Sequence, residues 1–152
     1  MSPQDNATLV LNILHLVEQG DVKGVAAAYH PDVEFHWPPG LPYSGVSRGR
    51  DVGVMNARFI ATWGPLRPTP EVRRLNPRVV ALSDDGHVVV HYVWRAMDRN
   101  GHRFETETLA DYELRDGRLF RAQMYHFDLS GLQDFLWSNG GVAARSNDLS
   151  AP

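Results

Sequence analysis

The 152 residues suffice for one ordinary domain and are too few for two. A hydrophobic fraction of 43% and a charged fraction of 22% describe a globular chain with a core to bury. A net charge of −3 without any basic run argues against a nucleic-acid surface, and no apolar stretch approaches the roughly 20 residues of a membrane span.

With no cysteine, the chain has no thiolate nucleophile, disulfide framework or cysteine-held zinc. Lys23, the only lysine, lies in a polar stretch beside Asp21, which argues against Schiff-base chemistry. The start, MSPQDNATLV, lacks the basic-then-apolar order of a secretory leader, so a cytoplasmic protein is expected. Chemistry must therefore come from His, Asp, Glu, Tyr or Arg, with no cofactor called for.

In chain order, Leu9, Val10, Ile13, Leu14, Leu16 and Val17 recur at helical spacing over 8–19, with Asp5 or Asn6 as N-cap and Gly20 as the stop. Asp21 caps a shorter helix reaching Tyr29. Pro31 breaks it, and Asp32 to Trp37 reads as a strand. PPGLPYSGVSRG reads as a loop, and a third helix follows from Asp51 to about Trp63. Beyond the proline-rich GPLRPTP come four strand-like stretches, about 71–83, 87–98, 102–115 and 118–128. DDG, RNG and RDG separate them as hairpin turns that accept positive φ. SGLQDFLW reads as a short closing helix. The polar tail over 138–152 is expected to be disordered or bound by a partner, leaving one domain over 1–137.

Helices first and an antiparallel meander after them predict an α+β fold, with the helices packed on one face of a curved sheet. This order resembles the cone-shaped barrel of the nuclear transport factor two-like, or ketosteroid-isomerase-like, superfamily. YHPDVEFHWP after the paired helices, SRGRDVGV opening the third helix and LRDGRLFRAQMYHFDLSGL closing the sheet resemble its SnoaL-like polyketide cyclase branch and the related limonene epoxide hydrolases. The resemblance covers roughly residues 8–137. It implies a cavity for a small hydrophobic ligand, and dimerisation through the outer sheet face. The reactions it implies are of isomerase or lyase type. The Asp-Arg-Asp set of the epoxide hydrolases has no match. His91 stands where the arginine would be, Val93 at one carboxylate, and Met124 or Tyr125 at the other.

The hairpins also predict which residues share a face. As a two-residue turn, Asn100-Gly101 pairs Arg95 with Thr106, Val93 with Thr108 and His91 with Ala110. Asp116-Gly117 likewise pairs Thr108 with Tyr125 and Ala110 with Gln123. One face then carries His91, Val93, Arg95, Phe104, Thr106, Thr108, Tyr112, Gln123, Tyr125 and Phe127: apolar walls with a few polar groups, as a ligand cavity has. On this reading His91 is the acid–base group, since an imidazole titrates nearest neutrality. Arg95 holds an enolate or carboxylate oxygen and Tyr125 donates to a developing oxyanion. The opposite face carries Trp94, Glu107 and His126 as a row suited to a dimer interface.

A β-bulge between Phe120 and Tyr125 would reverse the last strand, turning Met124, His126 and Asp128 inward and making His126 with Asp128 the acid–base pair. Both registers remain open at this point, as does a reading in which the cone is a non-catalytic binding or assembly module with His91 as a satisfied core residue. Trp37 ends the first strand, either as a core residue or at the cavity mouth gripping a flat ligand. GVSRG matches G-x-S-x-G, but a proline-rich loop precedes it where a nucleophile elbow needs a buried strand. His87 and His91 would lie about 13 Å apart on a strand, too far to share a metal, and no other cluster has ligand spacing.

Overall fold

The structure, a computed structural model, describes residues 1–139. Helix α1 spans Pro3–Gln19 and begins earlier than its apolar periodicity suggests. Ser2 is the N-cap and Asp5 its reciprocal partner in a capping box, while Pro3 occupies the first turn, where a missing N–H costs nothing. Gly20, at φ 72°, ends the helix in the left-handed conformation. Asp21 caps α2 (Val22–Ala27) by accepting from the Gly24 N–H.

Strand β1 runs over Tyr29–Trp37, three residues longer than expected. Pro31 is tolerated because pairing with the neighbouring strand is irregular between Tyr29 and Glu34. β2 (Gly45–Arg48) lies inside the segment expected to be all loop and pairs antiparallel with the end of β1. α3 (Asp51–Trp63) falls where the sequence puts it and continues into a 3-10 turn at Gly64–Leu66. The stretch expected to begin a strand at 71 instead forms α4 (Pro70–Arg73), because Thr69 caps and Pro70 opens a helical turn. Four strands follow in sequence: β3 (Arg78–Leu82), β4 (His87–Met97), β5 (Arg103–Arg115) and β6 (Arg118–His126). α5 (Leu129–Ser138) closes the fold. Of the expected tail, Ser138 ends α5 and Asn139 follows it; 140–152 lie outside the described residues.

The strands form one curved, unclosed sheet in the order β2-β1-β6-β5-β4-β3, with helices packed against it. The β3–β6 meander is antiparallel throughout, and β1 joins β6 in parallel. α1 contributes Val10, Ile13 and Leu14 to the core, α3 contributes Val52 and Trp63, and α5 contributes Leu132 and Leu136. No helix among the described residues is long and apolar enough to cross a membrane.

Two details of the meander decide which residues face the core. The β4–β5 turn has three residues, not two. Asp98 accepts the Gly101 N–H at its carbonyl, and its carboxylate takes the N–H groups of Asn100 and His102 at 2.8 and 2.9 Å. Gly101, at φ 83°, supplies the positive φ of that longer turn. Every β4–β5 pair therefore shifts by one: Arg95 faces Glu105, Val93 faces Glu107 and His91 faces Leu109. The second detail is a β-bulge in β6. Glu113 pairs with Arg121 but Leu114 with Leu119, so Phe120 is the extra residue. Met124 and His126 thereby join the inner face, as the bulged register foresees. Burial on β4 alternates accordingly, with Val88, Val90, Tyr92, Trp94 and Ala96 inside.

Candidate functional site

Between α1, α2, α3 and the inner sheet face lies a cavity of about 520 Å³. α1 lines it with Ile13, Leu14 and Val17, β1 with Tyr29, Phe35 and Trp37, α3 with Asn56, Phe59 and Trp63, and β4 with Tyr92 and Trp94. Tyr112, Leu119 and Met124 complete its floor. Gln19 to Val22, Ile60, Gly64, Arg67 and Arg73 also line it. Val22 and Ile60 are 51% and 41% exposed, which puts an apolar rim at the mouth.

The wall is a continuous set of rings. Phe59 stacks on Trp37 with centroids 5.1 Å apart, and Trp37 meets Tyr43 edge-on at 4.9 Å. Trp63 meets Trp94 edge-on at 4.9 Å, with Phe59 joining the two halves. Such offset and edge-to-face contacts hold the rings in fixed orientations and leave flat faces for a flat guest. Trp63 donates its indole N–H to the buried Tyr43 hydroxyl at 2.7 Å, which locks this corner.

The polar groups of the lining are mainly donors. Tyr92 and Tyr112 interact through their hydroxyls, groups that can each donate or accept. Burial pushes Tyr92 up to about 12 and Tyr112 well above the usual phenol range, so both stay protonated near neutrality. Asn56 donates to the Tyr29 hydroxyl at 3.3 Å. Arg67, 8% exposed, lies with its guanidinium 4.2 Å over the Trp94 ring and donates to the Arg73 carbonyl at 2.7 Å. Burial lowers Arg67 to about 10, which leaves it charged at neutral pH. The Arg67 Nε and the Trp37 Nε1 are buried with no hydrogen-bond partner. Asp21 is the only carboxylate on the lining among the described residues.

The expected site residues divide between the two faces. Trp37 lines the cavity, packed between Phe35 and Phe59. His91, Val93, Arg95, Gln123 and Tyr125 are on the outer face, opposite the cavity, because of the three-residue turn and the bulge. There His91 meets Glu107 at 3.2 Å, and Arg95 meets Glu105 at 3.3 Å and donates to the Arg74 carbonyl. Both contacts lie on the outer face, so the imidazole and the guanidinium of this strand never enter the core. Gln123 accepts from Arg121, Tyr125 is 55% exposed and Phe127 is 87% exposed.

Thr106 and Thr108 are buried on the inner face but lie outside the cavity lining, and Phe104 stacks on Phe135 of α5. His126 is inward, with Nδ1 2.8 Å from the Thr108 hydroxyl and Nε2 buried without a partner. Burial lowers it to about 4, so the ring is neutral at pH 7. Asp128 does not join it as an acid–base partner. Its carboxylate caps α5 at the Gly131 N–H, 2.9 Å away. The outer-face row expected from Trp94, Glu107 and His126 is likewise split, since Trp94 and His126 point inward. Ser47 of GVSRG is buried on edge strand β2 opposite Phe35, with no acid–base partner at its hydroxyl. No group of three His, Asp or Glu side chains among the described residues is placed to hold a metal.

The sequence reading missed Phe59, Trp63, Arg67, Tyr92 and Trp94 as lining residues, while its cavity face did hold Tyr112. The signal was present on β4, where Val88, Val90, Tyr92, Trp94 and Ala96 form the more apolar of its two alternating sets. A second signal was charge. Only the observed register sets Arg95 opposite Glu105 and places His91 beside Glu107.

Known structures share this architecture. Bal32a, from a soil-derived mobile gene cassette, superposes with a TM-score of 0.71 at 20% identity, over 88% of this chain and 98% of its own. TerC, co-crystallised with polyporic acid, superposes with a TM-score of 0.71 at 21% identity, over 87% and 98%. A candidate polyketide cyclase from Xanthomonas campestris pv. campestris gives a TM-score of 0.68 at 18% identity, over 90% and 99%. At these identities the likeness is one of fold. No curated protein matches the chain in sequence. The family model of the SnoaL-like domain matches residues 10–122, most of the chain, and the chain belongs to that family.

Proposed function

We propose that the chain takes a flat, largely apolar small molecule into its cone and polarises an oxygen on it. One observation carries this reading: a cavity of about 520 Å³ walled by stacked rings, whose few polar groups are mostly donors. Relatives of the same fold support it, since TerC was solved with polyporic acid and others are candidate polyketide cyclases. The test is quenching of the intrinsic tryptophan fluorescence by a panel of flat aromatic ketones and hydroxyquinones. Saturable one-to-one quenching is expected, and its absence across the panel would defeat the reading.

Cyclisation, isomerisation or dehydration beside a carbonyl is the second reading, and the make-up of the lining favours one version of it. Such chemistry needs donors for the oxygen and a base for the carbon-bound proton. Tyr92 and Arg67 supply donors, and Asp21, which caps α2 through one carboxylate oxygen, keeps the other as the base on the lining. Asp21→Asn retains the α2 cap and removes the base. It should abolish turnover of a bound substrate while leaving its affinity within about threefold, and unchanged turnover would return the protein to the role of a binding module. A homodimer through the outer sheet face belongs to the same proposal, resting on exposed Leu109, Tyr125 and Phe127. Sedimentation at micromolar concentration tests it, with a monomer as the contrary result.

A further inference from the structure

Arg67 is a buried cation with no ion-pair partner among the described residues. Its residue is 92% removed from solvent, yet no carboxylate among the described residues lies within ion-pair distance of it. The acid whose charge acts on it is Glu18, whose carboxylate takes the Leu75 N–H at 2.8 Å and lies 3.6 Å from His15. Arg73, the other guanidinium of the lining, is bound to carbonyls: those of Glu18 and Arg67, each at 3.2 Å. Proteins seldom leave a buried guanidinium N–H without an acceptor, or its charge without a partner, because each costs solvation that nothing returns. Here both deficits fall on one side chain, and that side chain lines the cavity.

A neutral carbonyl would satisfy the Nε–H and leave the charge exposed to a low dielectric. A carboxylate or ionised enol would answer both needs, and its plane suits the guanidinium fork. The chain's net charge of −3 gives no general attraction for anions, so any such preference must arise locally. The Trp94 ring beneath the guanidinium continues through Phe59 to Trp37, whose own N–H also lacks an acceptor.

From this we infer that the cavity selects a planar aromatic anion, its charge against Arg67, its rings along the Trp94–Phe59–Trp37 wall and a second oxygen on the Trp37 N–H. The inference rests on the cavity being a ligand site, and it narrows the ligand class.

Calorimetric titration of the full chain with 2-naphthoate and its neutral match 2-naphthamide separates the two claims. Naphthoate should bind at least tenfold more tightly than the amide. Arg67→Met should erase that preference, and Arg67→Lys should keep part of it. A hydroxyl at position 6 of the naphthoate should improve affinity in the native chain and not in Trp37→Phe. Equal affinity for acid and amide in the native chain overturns the anion inference and leaves the cavity reading standing. Failure of both compounds to bind overturns the two together. If Arg67→Met does not fold, the acid–amide comparison in the native chain and in Arg67→Lys decides the matter.

Discussion

Replacing His126 by Asn tests whether an imidazole is held neutral at the inner end of β6. An asparagine amide can stand where Nδ1 stands and keep the contact to Thr108, which is 2.8 Å in the native chain, while removing the titrating ring. Burial lowers His126 from 6.5 to about 4 in the fold. Between those values the unfolded chain binds a proton that the folded chain refuses, so stability falls as pH drops through this window. Above pH 6.5 the ring is neutral in both states and the fold is unaffected. Below about pH 4 the loss levels off at about 3 kcal/mol, from 1.36 kcal/mol per unit. By pH 5 the same linkage gives a loss of about 2 kcal/mol. His87 works in the opposite sense, since its bond to Asp111 raises it and stabilises the fold at low pH. Urea unfolding at pH 7 and pH 5, in native chain and variant, isolates the His126 share because His87 is common to both. The native chain should lose about 2 kcal/mol more than His126→Asn between the two pH values. Equal losses would refute the buried, neutral ring.

The outer-face placement predicts that His91→Ala and Arg95→Ala leave ligand affinity within about twofold. It also predicts a stability change of no more than about 1 kcal/mol each, as exposed ion pairs give. A tenfold loss of affinity in either would contradict the register found here. Tyr43→Phe strands the buried Trp63 N–H and should cost about 1–3 kcal/mol in urea unfolding. Gly86 holds φ 101°, and a Cβ there would stand 2.6 Å from the Leu114 carbonyl oxygen. Gly86→Ala should accordingly cost about 2 kcal/mol or more, and a neutral effect on the melting temperature would show that the turn can relax. Leu132→Ala, fully buried between α5 and the sheet, should cost about 2–5 kcal/mol.

The fold was legible because long periodic segments carry their own signal. The α1 stripe, the capped α2, the α3 span and the three hairpin turns all lie in the sequence as local chemistry. Failures began where a single residue of loop length mattered. Asn100-Gly101 invites a two-residue turn, but Asp98 binds two N–H groups of the loop and draws in one more residue. Since side chains alternate, that one residue moved His91, Val93 and Arg95 from cavity to surface. The bulge at Phe120 was foreseeable as a class of event, and its placement decided between Tyr125 and His126. β2 was hidden because Gly45 to Arg48 has too few apolar residues to announce a strand and depends on β1 for its pairing. Arg67 was hidden for a different reason: it follows a turn between α3 and α4, and only tertiary packing sets it over Trp94.

The most direct test of the ligand cavity uses the four tryptophans, three of which line it while Trp137 sits on α5 with its indole N–H on the Gly40 carbonyl at 2.7 Å. The measurement is an indole N–H chemical-shift titration with 6-hydroxy-2-naphthoate, each resonance assigned by a single Trp→Phe variant. The account predicts that Trp37, Trp63 and Trp94 move together along one saturation curve, with Trp37 shifting most as its unpartnered N–H gains an acceptor, and that Trp137 stays in place. Stationary cavity indoles, with shifts confined to the amides of Leu109, Tyr125 and Phe127, would place the ligand on the outer sheet face and contradict it.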